Sequence, residues 1–582
     1  MLTNTPTCNN TRLLRMNRMT QEEQVSNITS KLTWEEHRNI IIEAIKNADF
    51  IAFDMEYTGL HLKDDRYVGI DKCYEAHSAG AKQFIPCQIG LTMAKLENGV
   101  WNITPTSIYT FPSDNTVFKV NTSTISFLKD NNFDFNSWIR NGVLHLKPHE
   151  EQEKKKVIEE RLKELQQMLE MSKSNTKSKP SVKPVKFNMS TIPDENDRNT
   201  AISVMNKIEE WIDSDDIKPL EIPMESAFQR LLMHTIIGQQ YPQIFSHSTR
   251  RGNDKALCIY KSEYELYNEQ ILQLKSEMAS VDEEVGLRLL LDAISANKKI
   301  IVGHNCFYDI LHIYQTFYKD LPESVQEFKD AWISKHPHTF DTKYIAESQD
   351  IFSNNTSTTL KGLFDHLCAT EVGKSVEFVI KPLPNTTWNV PTTLYPLISK
   401  RYLNTCGDLI NDINVDSVAM HDAGYDSFMT SIVFILQVNA ILRSKNTTIK
   451  SILEQNTKET RYEGELPRGN HGINKLMSML EGVVNSIRLV KSQPNVMNLN
   501  KSSENDMARH FYMFGFPNTW KKWEITKIWS PLWISISWID ETSCWIIVKN
   551  DDDVRNIDLI YRMMRNPQFK LYTYQQYLQN IK

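Results

Sequence analysis

The chain is short of cysteine: eight residues in 582, and no two spaced C-x-x-C. That spacing excludes the usual zinc modules and a disulfide framework, and it suits a reducing compartment. An excess of positive charge is also missing, since 66 Lys and Arg stand against 72 Asp and Glu for a net charge of −6. A chain-wide basic surface is excluded, so affinity for a polyanion has to come from local clusters. Long apolar runs are missing too. The start, Met1-Leu-Thr-Asn, lacks the apolar stretch of a secretory signal, and the late run Ser431 to Leu442 is interrupted by Gln437 and Asn439. The last residues, Leu578 to Lys582, carry no anchor, so a location in cytoplasm and/or nucleus without membrane attachment is expected. What remains is ordinary for globular proteins, 40% hydrophobic and 24% charged, and the length predicts roughly three to four domains.

The first positive signal is Asp54-Met-Glu56, closing the apolar run Phe50-Ile-Ala-Phe53. In a strand, alternate residues share a face, so Asp54 and Glu56 project together while Phe53 and Met55 point away. Two neighbouring carboxylates that lose hydration repel each other unless a cation lies between them, and oxygen donors suit a hard divalent ion. Alone, the pair also fits a strand running into solvent. Further acids follow. Ile300-Ile-Val-Gly-His-Asn-Cys-Phe-Tyr-Asp309 reads as a buried strand turning at Gly303 into a helix, with Asn305 and Asp309 on one helical face. His421-Asp-Ala-Gly-Tyr-Asp426 opens an apolar helical run, Phe428 to Leu442.

Four acids and one histidine, in chain order Asp54, Glu56, Asp309, His421 and Asp426, resemble the DEDD superfamily of 3′→5′ exonucleases, histidine subgroup. The strings Asp54-Met-Glu-Tyr-Thr-Gly59, Phe133-Asp-Phe-Asn136, Arg140-Asn-Gly142, Gly303-His-Asn305, Asp341-Thr-Lys343 and Trp538-Ile-Asp-Glu-Thr-Ser543 narrow the resemblance to the poly(A)-specific ribonuclease family. It spans most of residues 34–582 and is weakest over 445–500. The resemblance implies an α/β fold: an RNase H-like exonuclease core, an inserted small single-strand-binding domain of Arg-x-x-x-His type, and a C-terminal degenerate RRM-like α+β domain.

Along the chain, 1–33 reads as a flexible polar tail and 34–150 as the first half of the nuclease. Thr33-Trp-Glu-Glu resembles a capping-box helix start, and strands are expected at Pro86–Met93 and Ser107–Phe111, with a helix near Ser126–Leu128. Residues 151–186 form a charged helix and linker. The stripe Ile158, Leu162, Leu165 and Leu169 fits either a short coiled coil or the protein's own surface. The insert is 187–261, with Arg230 and His234 on one helical face. The second nuclease half is 262–445, a linker 446–503 includes a helix around Ile473–Leu489, and the RRM-like domain is 504–582. There Ser543-Cys-Trp-Ile-Ile-Val lacks the glycine and paired aromatics of the usual RNA-contacting strand.

The resemblance implies two Mg²⁺ ions, for which Mn²⁺ can substitute, held by Asp54, Glu56, Asp309 and Asp426 about 4 Å apart. His421 would take a proton from the attacking water, its intrinsic pKa of about 6.5 suiting that role; a helix-capping role is the rival. Asp422 and Asp341 compete for the place of fourth carboxylate. Tyr57, Leu60, Phe127, Asn305 and Lys343 fall at substrate-lining positions, with core packing a rival for Leu60 and Phe127. Trp538 falls where a tryptophan stacks on the 5′ cap, or is buried with Ile534 and Ile536. The implied partners are single-stranded RNA 3′ ends, of poly(A) or of small RNA such as piRNA precursors, the 5′ cap, and a second copy in a homodimer. A non-catalytic RNA-binding protein is the alternative of another class.

Overall fold

The computed structural model describes residues 28–63, 65–113, 116–174, 185–214, 218–251, 254–352, 357–386, 388, 390–399, 421–448, 452, 471–502, 507–548 and 551–580. Most of the predicted N-terminal tail, and the stretch 175–184 of the first predicted linker, lie outside these residues. Two compact units result, one from the stretches up to Lys147 and from Gly286 onward, the other from Pro148–Val285.

The larger unit is built on a seven-stranded mixed sheet. Its central strand, Phe50–Tyr57, pairs antiparallel with Pro86–Glu97 and parallel with Ile300–Gly303. Beyond these lie Val100–Tyr109 on one side and Thr339–Asp341 on the other. Ile28–Thr29 and Phe378–Ile380 both pair with Val100–Tyr109.

Strand alternation divides the core in two. Ile51, Phe53 and Met55 pack with the Trp34–Asn47, Arg288–Ala296 and Phe307–Ile313 helices, while Phe50 and Ala52 pack under the Ala423–Ser444 helix. Phe50 meets Phe434 edge-on at 5.0 Å between ring centroids, and Thr92 and Ser427 share a buried hydroxyl contact of 2.8 Å. From Phe434 back to Asp426 is about 12 Å of helix, and from Phe50 on to Asp54 about 13 Å of strand. The aromatic contact therefore fixes Asp426 over the acidic end of the strand. This helix is longer than the predicted apolar run and apolar enough to cross a membrane, but 89% of its most apolar stretch is buried as the core of the fold.

Several local expectations are corrected. Thr33 makes no side-chain cap, because its hydroxyl bonds Ser30 instead. The segment predicted as a linker, in its described part, is integral to the nuclease. His471–Met479 is helical, Ser486–Arg488 pairs with Val496–Asn498, and Asn485 bonds both backbone groups of Thr339. Residues 449–451 and 453–470 lie outside the described residues.

In the smaller unit, Pro148–Ser174 and Glu263–Val285 lie side by side, tied by Lys154–Glu284 and Lys155–Asp282 pairs. The Ile158 and Leu165 positions of the apolar stripe are buried. That stripe thus packs within the chain, and the 263–285 helix belongs with the insert rather than with the nuclease. The remainder is a three-stranded antiparallel sheet with the Glu195–Ile212 and Ala227–Gln240 helices.

The C-terminal segment of the larger unit is a four-stranded antiparallel sheet. Its spatial order is Ile534–Asp540, Ser543–Val548, His510–Phe514, Lys570–Thr573, the strand order of an RRM.

Candidate active site

Asp54 and Glu56 stand on the face of the central strand that looks toward the Ala423–Ser444 helix. Directly across the ladder from Asp54 is Gly90. A Cβ there would lie 1.8 Å from the Ala423 carbonyl oxygen, so only glycine lets the helix N-terminus come this close. Gly424 makes the matching approach to Ser107 from the helix side. Asp422 caps the helix: its Oδ1 accepts from the Tyr425 amide at 3.0 Å. Its Oδ2 accepts from Gln88 Nε2 at 2.6 Å, while Gln88 Oε1 accepts from the Ala423 amide. Gln88 is the ladder partner of Glu56, so one side chain clamps the helix start to the strand beside the acids.

This docking brings ligand atoms of Asp54, Glu56 and Asp426 within 4.8 Å of one another. Burial, and then the charges of Asp426, Asp309 and Glu56, hold Asp54 well above the usual carboxylate range. Glu56 is raised in the same way, burial first and then Asp426. Burial followed by Asp422 pushes Asp426 to about 7. Carboxylates so placed are mutually destabilised when ionised, and the oxygen-only donor set fits a hard divalent cation.

Asp309 is buried at the start of the Phe307–Ile313 helix and is also pushed to about 7, chiefly by burial. Its electrostatic influence reaches Asp54, although it stands outside the tight triad. One of its oxygens accepts a 2.5 Å hydrogen bond from the Tyr57 hydroxyl. Tyr57 is therefore not a base-stacking surface: it is buried, with its ring against His312 at 4.3 Å. Parity carried that signal, since residue 57 falls on the Phe53 and Met55 face.

Both competing carboxylates have structural partners. Asp422 is the cap just described. Asp341 is buried, caps the Thr342–Ser348 helix, and accepts from the amides of Asn305, Lys343 and Arg488. Asn305 is not on the helix with Asp309. It sits in the preceding turn at φ 58°, a left-handed conformation that asparagine tolerates, and its Oδ1 is buried without a partner.

His421 immediately precedes the Asp422 cap at φ 65°. It is exposed, meets Phe127 edge-on at 4.8 Å, and partial desolvation lowers its pKa. Phe127 is 43% exposed, so its ring stays open beside His421. Leu60 packs partly buried against the core, which supports the packing reading. Lys343 reaches the Thr358 carbonyl at 3.4 Å.

Arg230 and His234 do share the Ala227–Gln240 helix, but both bond internally. Arg230 donates to the Met224 and Glu225 carbonyls, and the His234 ring nitrogens contact the Ser246 and Ser248 hydroxyls. Burial lowers the His234 pKa, so the histidine braces the insert and the charge of the pair is that of Arg230. Trp538 is 37% exposed and edge-on to Phe516 at 5.7 Å, at the margin of the C-terminal core rather than inside it.

The CAF1 family ribonuclease model matches residues 29–434, and an RNA binding domain model matches 502–580. The poly(A)-specific ribonuclease PARN of Bos taurus is 26% identical over 540 residues, covering 88% of this chain and 75% of that protein. The pre-piRNA 3′-exonuclease trimmer of Bombyx mori is 27% identical over 385 residues, covering 62% and 66%. Among solved structures, the RNase domain of yeast Pop2 aligns over 72% of this chain and 88% of that one, at 10% identity and a TM-score of 0.31. The chain belongs to the CAF1 ribonuclease family and is a 3′→5′ exoribonuclease.

Proposed function

We propose that this enzyme shortens single-stranded RNA from its 3′ end with divalent metal, Mg²⁺ first, and that adenosine tails are its substrate. The observation that carries the proposal is the convergence of Asp54, Glu56 and Asp426 to within 4.8 Å, with Asp309 in electrostatic reach. These four residues would hold the metal. When bound, the ions supply charge for an ionised water nucleophile and for the oxygen that leaves.

The chain's own groups supply the rest. His421 is unprotonated near neutral pH because desolvation lowers its pKa, so an imidazole nitrogen can accept the water's proton. Phe127, exposed beside it, offers a face for the terminal base. Asn305, half-buried in the turn just before the Asp309 helix, offers its amide to a sugar or base edge. Tyr57 orients Asp309, and Gln88 with Asp422 holds the helix that carries Asp426. The products are 5′-nucleoside monophosphates.

Similarity to PARN over 88% of the chain supports the adenosine-tail reading. Similarity to the Bombyx trimmer supports a second reading with the same chemistry, the trimming of small-RNA precursors. Digestion of equal-length oligo(A), oligo(U) and mixed RNA in Mg²⁺ tests the first. Faster removal of A than of U supports it, and equal rates overturn adenosine preference. Sequencing RNA 3′ ends after depletion separates long tails from extended small RNAs. Cap recognition by Trp538 belongs to the same proposal, supported by its partial exposure. Loss of cap-analogue binding in Trp538→Ala would bear it out, and unchanged binding would overturn it.

A further inference from the structure

The outer face of the C-terminal sheet is the surface on which an RRM stacks bases. Phe511, Met513, Cys544 and Ile546 point into the helix-covered core. By alternation, Tyr512 and Trp545 look the other way. That outer surface is closed at its centre. The C-terminal Tyr574–Asn580 helix lays Tyr577 against Tyr512 at 4.7 Å and against Trp545 at 4.9 Å, leaving Trp545 1% exposed. Base stacking on the central aromatics is blocked.

The part of the same face left uncovered opens on a cleft of ≈ 1170 Å³ between this sheet and the nuclease. On the sheet side it is lined by His510, Ser535 and Ser537; His510 is buried with no partner for Nδ1. On the nuclease side stand Tyr344, Asn495 and Asn498. The lining mixes polar groups with apolar ones such as Val496 and Ile547, and its charged members are two cations, Lys501 and Arg509, and one acid, Glu481. Amides and hydroxyls suit base edges and riboses, cations suit phosphates, and the volume exceeds what one nucleotide fills. The cleft is also coupled to the catalytic turn. Tyr344 lies in the helix capped by Asp341, and the same carboxylate holds the amides of Asn305 and of Arg488, two residues beyond Ser486 in the cleft wall.

We propose that this cleft binds single-stranded RNA 5′ of the end being hydrolysed, with phosphates on Lys501 and Arg509 and base edges on Asn495, Asn498 and the sheet hydroxyls. The proposal rests on the exoribonuclease reading and adds where the rest of the substrate runs. The enzyme should then favour RNA long enough to fill both sites.

The test uses the full chain, wild type against Lys501→Glu/Arg509→Glu and against Ser537→Trp, which fills the cleft sterically. Melting curves confirm that each variant folds. Two readouts are taken: anisotropy of a labelled 20-nucleotide oligo(A) without metal, and kcat/KM on 20- and 3-nucleotide oligo(A) in Mg²⁺. Binding of the long RNA should weaken about tenfold or more, with a shallower salt dependence in the double charge variant. The 20-to-3 ratio of kcat/KM should fall by a similar factor. Unchanged binding and an unchanged ratio in both variants would overturn the proposal. If the wild type hydrolyses neither RNA, the exoribonuclease reading has failed, and the anisotropy series still decides the cleft.

Discussion

The Tyr57 hydroxyl donates to Asp309 Oδ1 at 2.5 Å, joining the central strand to the Phe307–Ile313 helix inside the buried core. The bond favours the ionised carboxylate and opposes the burial that raises its pKa. Tyr57→Phe should leave Asp309 protonated to higher pH and less well oriented. The expected result is about a tenfold or larger rise in the Mg²⁺ concentration giving half-maximal rate, partly recovered at higher pH. An unchanged metal requirement would assign Tyr57 to packing alone.

Without metal, stability should depend on pH in a stated direction. Asp309 and Asp426 are raised from 3.8 to about 7, so between those values the folded form holds protons that the unfolded chain has released. Their contribution is full below about 4 and is lost as pH rises through about 7. The melting temperature of the metal-free protein should therefore fall over this window, and Mg²⁺ should raise it more at pH 8 than at pH 5. A Mg²⁺ effect that is equal at the two pH values would mean these carboxylates are not its ligands.

His421→Ala should slow turnover by roughly 10²–10⁴ with a smaller change in RNA affinity, because a general base acts in the transition state. At saturating Mg²⁺ the wild-type rate should decline as pH drops below the usual histidine range, and the variant should lose that limb. An identical pH profile in both would leave His421 as a residue of the turn before the helix.

Gly90→Val tests the docking geometry. Even one added carbon would lie 1.8 Å from the Ala423 carbonyl oxygen, and backbone cannot yield as a flexible side chain can. The helix start should be pushed off the strand, separating Asp426 from Asp54. Turnover should fall at least 10²-fold, with a lower melting temperature measured by circular dichroism. Wild-type activity in a folded variant would show that the close approach is dispensable.

The placement of Asp54 and Glu56 was legible because strand alternation is a strict period of two, and Asp426 was legible through the resemblance of His421-Asp-Ala-Gly-Tyr-Asp426 to the exonuclease family. Tyr57 was legible by the same parity, but the family position drew it toward RNA. Asn305 was misplaced because a turn at φ 58° interrupts the strand-to-helix passage, and only three residues separate Gly303 from the start of the Phe307 helix. The roles of Asp341 and Asp422 were not legible, since a capping carboxylate and a metal ligand are the same residue type. Their partners, Arg488 and Gln88, lie 147 and 334 positions away. The 263–285 helix changed sides for a similar reason: its pairing with Pro148–Ser174 closes a loop around the whole insert.

The central claim is that Asp54, Glu56, Asp309 and Asp426 hold the metal that the reaction uses. Its most direct measurement is Mg²⁺ binding by calorimetry to wild type, Asp54→Ala and Asp309→Ala at pH 8, alongside hydrolysis of oligo(A). The account predicts binding and turnover in the wild type, both abolished by a chelator. It predicts loss of both in each variant with the fold retained and, for Asp54→Ala, an undiminished metal-free melting temperature at pH 8, because a buried like charge has been removed. Near-wild-type binding or turnover in either folded variant would contradict it.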